Sequence, residues 1–283
     1  MYGTFYRLQG RPFQLTPDPR FFFGGRGHQR AMAYLIYGAH QGEGFIVITG
    51  EVGAGKTMLA NTLALKLESE NVALGQVVST HLDADNIVRM VASAFGLALH
   101  GNKAELLQRL EQFLLTCHRQ GKRALLIVDE AQNLPAASVE ELRMLSNYVL
   151  AAKPLLQTFL LGQPAFRRIL QSAEMEQLRQ RVIASCHLGP MDAADTERYI
   201  VHRLSTVGWR GDPSFDAEAF GAIHQYSGGI PRRVNILCDR LLVLGRLDEL
   251  HAFTAKEVAS VTEELQQELA PLTPQLGQGE GVG

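Results

Sequence analysis

Gly50, Gly53, Gly55, Lys56 and Thr57 close the run Phe45-Ile46-Val47-Ile48-Thr49-Gly50-Glu51-Val52-Gly53-Ala54-Gly55-Lys56-Thr57. Glycines followed by a lysine and a hydroxyl at the spacing GxxxxGK[ST] are suited to holding phosphate. The glycines let the backbone through Glu51, Val52 and Ala54 turn until its N–H groups converge on phosphate oxygens. Lys56 would neutralise the outer phosphates, and the Thr57 hydroxyl would hold Mg²⁺. A helix entered through Met58 would point its positive end at the same anion. A second apolar run, Ala124-Leu125-Leu126-Ile127-Val128, ends in Asp129-Glu130. Asp129 would orient Mg²⁺ through water, and Glu130 would polarise a water for in-line attack on the terminal phosphate. The plainer alternative is that the two acids cap a helix entered at Ala131.

These residues need a scaffold, and the hydrophobic pattern supplies one. The β-branched runs at 45–49 and 124–128 read as strands covered on both faces. Further strands are expected near Gly75 to Ser79, Leu155 to Leu161 and Ile183 to Leu188. Between them, Leu59, Leu63 and Leu67, then Ile87, Val91, Ala94 and Phe95, then Leu106, Leu110, Phe113 and Cys117 repeat at helical spacing. Alternating strands and helices predict an α/β fold, a P-loop three-layer α/β/α parallel sheet, with the acids at the carboxyl ends of strands where ligands bind. After Gly189-Pro190 the pattern is helical only, over Ala193 to Val207, Asp216 to Tyr226, Pro231 to Leu247 and Ala255 to Leu269, which predicts an all-helical lid. Residues 1–41 read as an arm, rich in Pro and Phe until Arg30 to Gly38 turns helical. Residues 42–190 read as the core, 191–269 as the lid and 270–283 as a flexible Pro/Gly/Gln tail.

The 283 residues are 46% apolar and 20% charged, enough for a core and a smaller domain. A net charge of −2 encodes no generic attraction to nucleic acid or anionic lipid, so either would need a local basic patch. Cys117, Cys186 and Cys238 are odd in number and far apart, as expected of reduced thiols in a cytoplasmic chain. No apolar run approaches the roughly 20 residues that span a bilayer. The nine histidines show no paired ligand spacing, so no metal beyond nucleotide-bound Mg²⁺ is expected.

The chain resembles the ExeA/GspA-type AAA+ ATPases. The residues that carry the likeness are the 50–57 loop, Asp129-Glu130-Ala131-Gln132-Asn133-Leu134, Leu161-Gly162-Gln163-Pro164, Leu178-Arg179-Gln180-Arg181 and Ser227-Gly228-Gly229-Ile230-Pro231-Arg232-Arg233. The opening Pro12-Phe13-Gln14-Leu15-Thr16-Pro17-Asp18-Pro19-Arg20-Phe21 matches too. With Gln41-Gly42-Glu43-Gly44-Phe45 the pattern is most similar to the ATPase associated with exosortase and exopolysaccharide loci. The likeness runs over residues 1–268 and implies Mg²⁺-dependent ATP hydrolysis by a homo-oligomer at the inner face of a membrane, through protein partners of an export system.

The resemblance also implies roles. Gln163 would sense the terminal phosphate, or else is a turn residue before Pro164. Arg181, ahead of Arg179, would be the arginine finger given to a neighbouring subunit, the alternative for both being a solvated helix end. Arg232 would be the second sensor on the lid, with Arg233 as the alternative about 100° round the helix. The aromatic arm would help wall the base pocket, or simply pack on the core. Met58 stands where the family often has a second hydroxyl, which leaves the Mg²⁺ ligand at Thr57. Secretion-type relatives continue into a membrane span and a peptidoglycan-binding domain, and the sequence lacks both, which speaks against a direct cell-wall role. A different expectation is a DNA-acting ATPase of the transposition-helper or origin-recognition type, which would share the core, the lid and a similar Gly-Ile-Pro-Arg turn.

Overall fold

In a computed structural model, which describes residues 2–42, 44–67, 71–78 and 83–269, five strands form one parallel sheet. They are β1 (Phe45–Gly50), β2 (Val72–Val78), β3 (Arg123–Asp129), β4 (Leu156–Gly162) and β5 (Val182–Leu188), in the order β2-β3-β4-β1-β5. Successive side chains of a strand point to opposite faces, and the apolar runs use both. Phe45 and Val47 join Leu126, Val128 and Leu160 in one buried cluster. Ile46 and Ile48 join Leu125, Ile127, Phe159 and Leu161 in another. The expected three layers follow directly. Helices α1 (Arg26–Gln41) and α2 (Lys56–Leu67) cover the second face, and α3 (Ala84–Ala94), α4 (Lys103–Arg119), α5 (Ala136–Leu145) and α6 (Pro164–Leu170) cover the first.

The central strands β1, β3 and β4 are almost wholly buried, whereas β5 alternates half-buried and exposed residues. It is an edge strand with only one face covered, so its Ile183 stands 41% exposed. Helix α1 comes close to β1 at Gly38, where an added Cβ would lie 1.7 Å from Ile46 Cδ1. Gln157 Nε2 of β4 donates to the Gly38 carbonyl at 2.6 Å and ties the helix to the sheet.

Beyond Pro190 come α7 (Ala193–Thr206), α8 (Ala217–Ser227), α9 (Pro231–Leu247) and α10 (Ala255–Leu269). Asp192 and Asp216 cap α7 and α8 by accepting from the N–H groups of Asp195 and Ala219. Pro231 opens α9, which buries Val234, Leu237 and Leu241 and leaves Leu244 partly buried. This region is not helical throughout: Ser214–Phe215 and Ala252–Phe253 pair as a short parallel ladder. The sequence reading also passed over α5 and α6. The turn after Glu130 is a single 3-10 turn, Ala131–Asn133, and Pro135 then starts α5. Ser79, at the end of the expected second strand, and the tail 270–283 lie outside the described residues.

The expected arm, residues 1–41, divides: its first part packs with the lid, whereas α1 packs on the core sheet. Tyr2, Tyr6, Leu8, Phe13 and Phe21 are buried among Tyr199, Leu204, Leu237, Leu241 and Phe253, rather than against the core. The chain passes to the core cluster at Phe22 and returns to the lid between Leu188 and Met191. The two crossings are neighbours. An added Cβ at Gly27 would lie 3.6 Å from Leu188 Cδ1, and the Arg26 N–H donates to Asp195 Oδ2 at 3.3 Å.

Candidate active site

The loop that follows β1 turns at Gly53 and Gly55, both in the left-handed region (φ 81° and 97°). Gly53 is required for a second reason. Its ideal Cβ would sit 2.4 Å from Arg232 Cβ, and its carbonyl accepts from the Arg232 N–H at 3.2 Å, so the start of α9 rests on the loop. Lys56, first residue of α2, is buried and its ammonium donates to the carbonyls of Gly50 (2.9 Å) and Glu51 (3.0 Å). Burial lowers its pKa, and the nearby carboxylates of Glu130, Asp129 and Glu51 act in the opposite direction. Its ammonium forms no ion pair among the described residues, which leaves the cation for an incoming anion.

Asp129 is 2% exposed at the end of β3. Its Oδ2 accepts from Thr57 Oγ1 at 2.5 Å and its Oδ1 from the Glu130 N–H at 2.8 Å. A hydroxyl and a buried carboxylate in contact beside a phosphate loop are the protein oxygens that Mg²⁺ takes when phosphates and waters complete its shell. No cluster of three or more His, Cys, Asp or Glu able to hold a metal occurs among the described residues, so protein side chains alone do not build a closed metal cage there.

Glu130 takes a left-handed backbone (φ 54°), costly for a residue with a Cβ, and its side chain makes no capping bond to the turn that follows, which its carbonyl closes by accepting from the Asn133 N–H. The strain turns its side chain toward the ends of the strands. There Oε2 accepts from Gln132 Nε2 (2.5 Å) and Gln163 Nε2 (3.1 Å). Gln132 Oε1 in turn accepts from the Gln163 N–H at 2.9 Å. Gln163 is the N-cap of α6, through its backbone carbonyl, which accepts from the Phe166 N–H, and not through its side chain, which reaches Glu130 instead.

A cavity opens between these groups, the arm and the lid. Val52, Gly53, Gly55, Lys56, Thr57, Met58 and Glu130 line it from the core; Gln14 to Pro17 and Phe21 to Phe23 from the arm; Tyr199, Arg203, Pro231, Arg232 and Asn235 from the lid. Arg233 is absent from this lining. Arg179 and Arg181 lie elsewhere. Arg179 Nη1 donates to the carbonyls of Leu170 and Ser172 at the end of α6. Arg181 donates to Ser146 Oγ (2.7 Å) and Asn147 Oδ1 (2.5 Å). Its carbonyl pairs with the Phe45 N–H, at the opposite end of β1 from the loop.

Sequence reasoning gave no role to His28, Gln132, Tyr199, Arg203 or Asn235. His28, from α1, is buried under the loop with Nε2 3.0 Å from the Ala54 carbonyl, and burial lowers its pKa. A lone histidine on a helix carries no signal of that. Gln132 sat inside a noted motif without a role. Tyr199 and Arg203 are four apart on α7, on one face, a spacing that reads as ordinary lid packing.

Comparison with known proteins agrees with this geometry. Residues 39–170 match the model of the AAA domain family. General secretion pathway protein A of Aeromonas hydrophila is 35% identical over 245 residues, 86% of this chain. The chain spans only 44% of that relative's length. Among solved structures, Aeropyrum pernix ORC2 in its ADPNP-ADP complexes superposes with a TM-score of 0.66 at 15% identity, over 90% of this chain and 71% of its own. Cdc6p from Pyrobaculum aerophilum gives 0.69 at 13% identity, over 89% and 70%. At such identities the likeness is one of fold alone.

Proposed function

Since the chain carries an AAA domain related to general secretion pathway protein A, we propose that it is a Mg²⁺-dependent ATPase whose hydrolysis drives or regulates a membrane-associated export or secretion system. One observation carries the catalytic part. The Thr57–Asp129 contact and the Glu130–Gln163 contact converge on a phosphate loop whose lysine forms no ion pair among the described residues. The loop N–H groups bind the phosphates, and Lys56 exchanges its two carbonyls for phosphate oxygen. Thr57 and Asp129 would hold Mg²⁺, which when bound neutralises charge on the phosphate oxygens. Glu130 takes a proton from the attacking water once Gln163 turns from the carboxylate to the terminal phosphate. Arg232 reaches the phosphates from the lid, and the arm segment 14–23 walls the base.

Arg181, or Arg179 in second place, completes the site of a neighbouring copy in a homo-oligomer. Its present partners, a hydroxyl and an amide, are neutral and weak enough to be exchanged for phosphate. Identity to the secretion protein supports partners at a membrane, and no helix among the described residues is long and apolar enough to cross one. A cytoplasmic place at the inner face of the inner membrane, and an exosortase or exopolysaccharide system in particular, rest on the motif resemblance alone.

Phosphate release by the wild type, Lys56→Ala and Glu130→Gln tests the catalytic reading. Lys56→Ala should lose ATP binding. Glu130→Gln should retain ATP and release phosphate at least about 100-fold more slowly. Equal release by all three proteins would refute the proposal.

A further inference from the structure

Arg203 is a buried cation, 2% exposed, with no carboxylate partner among the described residues. Its Nε donates to the Pro12 carbonyl, its Nη2 to the Gln14 carbonyl at 3.0 Å and its Nη1 to the Tyr199 phenol at 3.1 Å. The guanidinium also lies 4.6 Å from the centre of the Phe21 ring. An unpaired buried charge is expensive, and here carbonyl dipoles and a ring face stand in for an acid. What the arrangement secures is the hydroxyl of Tyr199. Tyr199 is buried, and burial raises its pKa, so it remains a phenol with a single proton. Because the phenol oxygen accepts from Arg203, that proton is directed to Asn235, 2.9 Å away.

This fixes which way the Asn235 amide faces. Its oxygen accepts from the phenol, so its nitrogen must be the free end. Asn235 is 6% exposed and lines the nucleotide cavity, and its Nδ2 has no partner among the described residues. It is three residues beyond Arg232, on the same face of α9. One helix face therefore brings Arg232, packed against Gly53 of the loop, and the oriented amide of Asn235 to the lining of the same cavity.

We propose that Asn235 is a nucleoside-reading residue. Its amide donates to an acceptor on the base or ribose, and Tyr199 and Arg203 act as the positioning residues that aim it. The inference rests on the ATP-binding reading above and adds to it the group through which the lid recognises the nucleoside rather than the phosphates.

The test is titration of the whole chain, with Mg²⁺, against ATP and against inorganic tripolyphosphate, which lacks a nucleoside. Asn235→Ala should bind ATP ~10-fold more weakly, the worth of one hydrogen bond, and tripolyphosphate as the wild type does. Tyr199→Phe should show the same selective loss, smaller in size. Asn235→Asp keeps an acceptor for the Tyr199 phenol and removes the amide donor, so it should fold while losing ATP affinity, its added charge weakening tripolyphosphate as well. Unchanged ATP affinity in Asn235→Ala and Asn235→Asp would overturn the inference, as would parallel loss of both ligands in Asn235→Ala. A wild type that binds neither ligand would instead overturn the nucleotide reading itself.

Discussion

At the scale of single residues, the site is held ready by bonds that a nucleotide would replace. Lys56 rests on carbonyls, and Glu130 is shared by two glutamine amides. His28 behaves differently, since nothing in the reaction would release it. Its imidazole is buried beneath the loop, and its pKa is depressed by that burial against smaller upward pulls from the Ala54 carbonyl and from Asp195. A depressed histidine stabilises the fold while neutral. That contribution is complete above the unfolded value of about 6.5 and is lost as pH falls through the lower folded value. Melting temperature and ATP affinity of the wild type should therefore fall together on acidification below about pH 6.5. A His28→Gln variant, which keeps a donor for Ala54, should show a flatter melting profile over the same range. Identical profiles for the two proteins would exclude His28 as the group responsible.

At the scale of elements, the strands with both faces covered were the most legible. β1 and β3 come from β-branched runs that end in chemistry, and the structure places both as read. The lid helices α9 and α10 have the bounds expected from the sequence, Pro231 to Leu247 and Ala255 to Leu269. Helix α5 escaped because its buried Val139, Leu142 and Leu145 follow a proline and a 3-10 turn, which interrupt the period. The place of the arm was illegible for another reason. Nothing local distinguishes Phe13 or Phe21 packed on a lid from the same residues packed on a core; only the long-range partners decide. Of the site, the loop and both acids were readable because each follows the end of an apolar strand run, whereas a role for Gln163 came only with the family resemblance. His28, Tyr199 and Arg203 were not, because they reach the cavity from elements distant in sequence.

Packing between elements gives its own prediction. Alanine in a helix interior is ordinarily favoured over glycine by roughly 0.5–1 kcal/mol. At Gly38 the methyl would collide with Ile46, so Gly38→Ala should instead lower unfolding free energy by about 1–3 kcal/mol. Adding Ile46→Val, which removes the colliding Cδ1, should recover part of that loss. Denaturant titrations of the three proteins measure it, and a stabilised Gly38→Ala would show that α1 is free to lift from the sheet.

At the scale of the whole molecule, the proposed finger sits far from its own site, at the other end of β1. If it serves a neighbour, Arg181→Ala should release phosphate about a thousandfold more slowly while binding ATP normally. Mixing Arg181→Ala with Glu130→Gln should restore part of the activity, because each supplies what the other lacks. Two inactive proteins that stay inactive when mixed would place Arg181 in a purely intrachain role with Ser146 and Asn147.

The two adjoining strands of chain at Phe22 to Gly25 and at Leu188 to Met191 have a mechanical consequence. A body joined by one tether can swing and twist in any direction. One joined at two points, like a door on a pair of pins, turns chiefly about the line between them. Filling or emptying the cavity would therefore rotate the lid with its arm along a single arc, and any protein gripping that outer body would receive a stroke of fixed direction.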